Sequence, residues 1–190
     1  MIFYYLILVC MLFYGARLHM TGINERYMSK PSTNVIKGFF IALIFMSHIQ
    51  GYIGKSGYSY NAFGDDFVWY ILCLMGQLVV IMFLFYSGYG IMESYKSKGA
   101  SYVSTMPKRR LLTTLLNFDI AVLAFIAVDI IFGIPLGTKQ ILLSMTGRMS
   151  VGNSNWYIFV ILLCYALAYV GLKYFNKNKI VLVGILGGAL

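Results

Sequence analysis

Apolar runs of membrane length alternate with short polar stretches along the whole chain. The runs cover residues 2–16, 36–53, 67–92, 111–134 and 155–175, and a further one begins near residue 180 and continues to Leu190. A helix that crosses the hydrocarbon core needs about 20 apolar residues, and somewhat fewer suffice. The pattern predicts five complete transmembrane helices and a sixth that ends short of the ~30 Å core. The expectation is an all-α integral membrane protein, a polytopic helix bundle that is truncated within its sixth span. The first run lacks a basic leader, and "GARLH" is a poor cleavage site, so residues 1–16 read as a retained extra N-terminal span rather than a signal peptide. Between the fourth and fifth spans, "PLGTKQILLSMTGRMSVGNS" holds an apolar patch too short to cross. It predicts an amphipathic or re-entrant piece. No internal repeat and no linker divides the chain, so residues 1–190 read as one domain.

Composition supports a lipid-solvated protein. Of the 190 residues, 60% are hydrophobic and 11% charged, against about 25% charged in a soluble domain. The mean hydropathy is +0.78. The net charge of +9 comes from cations in short loops between apolar runs, with no aromatic–basic interleaving on a polar face. It therefore reports topology rather than nucleic acid. Arg17, Arg26, Lys30, Lys37, Lys96, Lys98, Lys108, Arg109, Arg110, Lys173, Lys177 and Lys179 fall in alternate loops, whereas only Lys55, Lys139 and Arg148 fall in the others. The cation-rich loops are expected in the cytoplasm, which puts the N-terminus outside. The three cysteines lie within apolar runs without close spacing, so neither a disulfide framework nor a metal site is expected.

Two residues break the second apolar run. In "VIKGFFIALIFMSHIQGYIG", residues 35–54, Lys37 and His48 are eleven apart. Eleven residues turn a helix through about 1,100°, three full turns plus roughly 20°, so the two share one face about 16 Å apart. Lys37 sits near the inner edge, where its stem can snorkel. His48 then lies near the bilayer midplane, where an ionisable group marks a candidate functional site. The plainer alternative is a histidine that bonds a neighbouring helix. A haem site would need a second histidine at matching depth. His19, the only other one, lies in the first basic loop.

A cation, ten residues and then a histidine in an early span resembles the type-3 membrane acyltransferase family. The opening helix "NVIKGFFIALIFMSHI", the segment "IMFLFYSGYGIMESYKSKG", the basic "MPKRRLL" and the tryptophan-bearing "GNSNWYIFVILLCYAL" follow the family's order across residues 34–170. The family's usual arginine is Lys37 here, and its paired loop arginines are replaced by the adjacent Arg109 and Arg110. The resemblance implies the N-terminal half of a multi-pass enzyme of the bacterial cytoplasmic membrane. Such an enzyme moves an acyl group, expected to be acetyl, from cytoplasmic acyl-CoA to a hydroxyl of a cell-surface carbohydrate. Acyl-CoA is a co-substrate, and no bound cofactor is implied.

On that reading His48 is the general base, or an acyl-histidine nucleophile. Lys37, Arg109 and Arg110, with Lys108, would hold the CoA phosphates. Ser87 and Tyr86 would line the donor path, beside glycines that otherwise serve helix packing. Asp119 and Asp129 are costly within a span and point about 80° apart, so one of them would support His48 or Lys37. Asn153, Asn155 and Trp156 lie at the outer end, where they would contact acceptor or, for the tryptophan, anchor the helix. A polytopic transporter or flippase, and an inactive acyltransferase fragment, are the alternatives.

Overall fold

The computed structural model describes residues 2–14, 27–57 and 65–175. Among them there is no strand. Four helical runs are long and apolar enough to cross a membrane: Lys30–Ile53, Leu74–Lys98, Ala100–Ile131 and Trp156–Tyr174. The first predicted span is described as helix α1, Ile2–Phe13, which rises roughly 18 Å. The sixth predicted span lies outside the described residues. The chain divides into two compact units, Met1–Gly88 and Tyr89–Leu190.

In the first unit, α2 runs Lys30–Lys55 and α3 begins at Asp65. The start of α2 precedes its apolar run for local reasons. Ser29 has extended backbone and its hydroxyl accepts the Ser32 N–H, with Pro31 in the first turn, and both features favour a helix start. The helix stops where the Ser56 hydroxyl donates to the Ile53 carbonyl and Gly57 takes a φ of 79°, a left-handed turn that glycine adopts without penalty.

α2 and α3 pack antiparallel, and three contacts fix their register. Lys37 lies over Tyr86, the rings of Phe40 and Phe83 meet edge to face, and Ser47 faces Gly76. Each step forward along α2 is matched by an equal step back along α3. Lipid supplies no hydrophobic drive for helices to associate, so close approach at small residues and van der Waals packing must do so. At Gly76 an added Cβ would lie 3.2 Å from the Ser47 hydroxyl oxygen. Val79 and Met46 are buried, whereas Ile41, Phe45, Ile81 and Phe85 stay exposed, as a lipid-facing surface requires.

The second unit corrects one sequence expectation. The charge pattern predicts a basic loop at residues 93–110, but these residues are helical except at one turn. α3 continues to Lys98, Gly99 turns the chain at φ 54°, and α4 runs Ala100–Met106. Pro107 opens a π-helical turn, Pro107–Leu112, that leads straight into α5, Thr113–Ile131. Proline lacks an N–H and crowds the carbonyl four residues back, and it stands where α4 gives way to the π turn. The Thr113 N–H and hydroxyl both reach the Lys108 carbonyl, five residues back. Polar side chains at 93–110 conceal the helix, because helix formation does not need a continuous apolar run.

α5 ends in paired bonds, Gly133 N–H to Ile130 O and Ile134 N–H to Asp129 O, with Gly133 at φ 68°. That is the Schellman stop, followed by Pro135. The predicted short piece is α6, Thr138–Ser144. It and the loop after it pack back along α5, in a cluster of Phe118, Val122, Ile126 and Val151 with Leu136, Ile141, Met145 and Ile158. Gly152 lies against Phe125, roughly 9 Å below the end of α5. The segment therefore folds back along α5. α7, Trp156–Tyr174, returns against α4, the π turn and α5 and buries Ile161, Tyr165, Ala168 and Leu172.

Candidate functional site

The candidate residues fall into the two units. In the first, the α2–α3 register brings Lys37 to Tyr86, with the ammonium nitrogen 5.5 Å from the ring centroid. Tyr86 is buried and Lys37 half-buried. Such a contact contributes about 0.5–1 kcal/mol at exposed sites and about 2 when desolvated. It holds the amine beside the hairpin and leaves its N–H donors for an anion. Ser87, the next residue of α3, is half-buried. His48 lies three turns along α2 from Lys37 on nearly the same face, and its side chain is exposed. Ser47, the residue before it, faces Gly76. Rotation by one residue therefore puts the imidazole at the edge of the helix contact.

In the second unit, adjacent arginines have different surroundings. Arg109 is exposed, as is Lys108, whereas Arg110 is half-buried. Arg110 Nε donates to the Tyr102 hydroxyl at 3.3 Å. Its guanidinium carbon is 5.9 Å from the Tyr165 ring centroid, and a terminal nitrogen passes 3.8 Å from where Gly90 would carry a Cβ. Sequence reasoning misses these two tyrosines. A signal exists on α7, where Tyr165, Tyr169 and Lys173 recur at four-residue spacing. Lys173 Nζ donates to the Tyr169 hydroxyl at 2.9 Å.

Neither a family model, nor a curated protein, nor a solved structure matches the chain.

Asp119 has one carboxylate oxygen that is buried and lacks a hydrogen-bond partner among the described residues. Asp129 is half-buried and lends its backbone carbonyl to the α5 stop. The expected acceptor contacts at the other end have structural duties. Asn155 Nδ2 donates to the Gly147 carbonyl at 2.8 Å. Asn153 Oδ1 accepts the Val151 N–H, and Gln140 Nε2 donates to the Ser150 carbonyl. These bonds tie together the loop between α6 and α7. Trp156 is exposed at the first residue of α7, the position of an interfacial anchor. His19, the rival haem ligand, lies outside the described residues.

Proposed function

We propose that the chain is a membrane acyltransferase whose donor-side chemistry is carried by the α2–α3 hairpin. The observation that carries this reading is the Lys37–Tyr86 contact, with His48 on the same helix face. Lys37 is the phosphate contact for acyl-CoA, held in place by the buried Tyr86 ring. His48 is the general base. A sugar hydroxyl oxygen attacks the thioester carbonyl carbon as the imidazole takes its proton. The carbon–sulfur bond then breaks, and the proton passes to the departing CoA thiolate. An alcohol is a weak nucleophile at neutral pH, and such proton transfer contributes about 10²–10⁴-fold.

The test is transfer from radiolabelled acetyl-CoA to envelope carbohydrate by membranes that hold the protein. His48→Gln keeps a hydrogen-bonding side chain of similar reach but cannot act as a base, so transfer should be lost with expression unchanged. Near wild-type transfer by a well-expressed His48→Gln protein would refute the assignment.

A second reading, a polytopic transporter, is favoured by the unpartnered Asp119 oxygen, since carboxylates within spans often mark ion or proton paths. It requires substrate flux without acyl turnover, abolished by Asp119→Asn.

A further inference from the structure

We propose that Arg110 anchors a binding site for the phosphate of an anionic phospholipid. Among the described residues no carboxylate pairs with it. Among the described residues the one ion pair is Lys96–Glu93, at 2.7 Å. Arg110 has phenolic neighbours instead, the Tyr102 hydroxyl on Nε and the Tyr165 ring beside the guanidinium. Charges withdrawn from water are normally paired. A guanidinium whose neighbours are phenols rather than carboxylates keeps its charge, and the N–H groups the phenols leave over can grip a phosphate.

Depth points to a lipid. The apolar run of α5 begins at Leu111, so Arg110 lies at the polar–apolar boundary, the level of phospholipid phosphates. Exposed Lys108 and Arg109 precede it. Lys173 ends α7 at the same end of this unit and reaches back one turn to Tyr169. Beyond the boundary, Leu112, Leu116, Ile120 and Leu123 are all about half exposed or more and recur along α5 at helical spacing, a surface for an acyl chain. Basic pockets between membrane helices are known to take anionic headgroups. The π-helical turn supplies the geometry. Successive side chains around the turn point in different directions, and Arg110 is half-buried while Arg109 stays exposed.

The experiment uses the whole chain, purified in detergent and exchanged into phosphatidylcholine with or without phosphatidylglycerol. Native mass spectrometry counts the lipid retained, and a melting curve reports folding. Wild type should retain phosphatidylglycerol in preference to phosphatidylcholine. Arg110→Gln should weaken retention by roughly tenfold or more, the effect of losing a charge-assisted bond, and Arg110→Lys should fall between the two. Lys139→Gln removes the same charge at the other end and should change nothing. If Arg110→Gln fails to fold, Tyr102→Phe, which removes the hydroxyl that positions the guanidinium, should still lower retention. No preference in wild type, retention unchanged in Arg110→Gln, or an equal loss in Lys139→Gln would each overturn the proposal. Displacement of the lipid by adenosine monophosphate would overturn it too, because it would assign the site to a soluble phosphate ester.

Discussion

Replacing Ser47 and Gly76 with cysteine should produce a spontaneous disulfide between α2 and α3. A Cβ built on Gly76 lies 4.0 Å from the Ser47 Cβ, inside the ~3.5–4.5 Å range of natural disulfides. The bridge would close a loop of about 30 residues, for which the chain-entropy relation gives roughly 3–4 kcal/mol. That figure is an upper bound here, because both helices are already held in the bilayer when the bond forms. The control is Ser47→Cys with Gln77→Cys. One step along α3 moves the attachment point about 3.8 Å and swings the side chain through about 100°, which takes the pair out of range. The assay needs Cys10, Cys73 and Cys164 replaced by alanine and a protease site inserted between residues 58 and 64. After cleavage, the two fragments should migrate together without reductant and separate with it. Equal cross-linking by the two pairs, or none by Ser47→Cys/Gly76→Cys, would refute the register and with it the Lys37–Tyr86 contact.

Lys37→Ala should raise the KM for acyl-CoA while Lys37→Arg retains activity, and an unchanged donor KM in Lys37→Ala would reduce the lysine to a topology signal. Cysteine at Ser97 should be shielded from an impermeant thiol reagent in intact cells and cysteine at Ser154 labelled, both residues being exposed; the reverse pattern would invert the orientation. Asn155→Ala should destabilise the protein by about 1–3 kcal/mol, because the Gly147 carbonyl loses its donor, with the loss read from denaturation in mixed micelles. Gly147→Ala should cost about 1–2 kcal/mol in the same assay, since φ is 72° there and the new methyl would meet the Phe159 backbone nitrogen at 3.4 Å.

The features legible in the amino-acid sequence are those governed by local rules. Hydrophobic run length predicts membrane helices at four places where the structure has helices able to span, because the requirement that each peptide group in lipid be hydrogen-bonded within its own segment acts locally. The stop of α5 is likewise written locally, in Gly133 and Pro135. Helical periodicity puts Lys37 and His48 on one face without reference to any other segment. Where polarity and helicity part company the pattern fails. Residues 93–110 look like a loop because they are charged, yet helix formation depends on backbone geometry, and lipid depth decides only which side chains are tolerated. Three further features need tertiary structure: the antiparallel register that sets Tyr86 against Lys37, the folded-back loop that engages Asn153 and Asn155, and the Tyr102–Tyr165 surroundings of Arg110. Each depends on contacts between segments far apart along the chain. Shape complementarity in the folded protein selects those contacts, and the period of a single helix does not specify them.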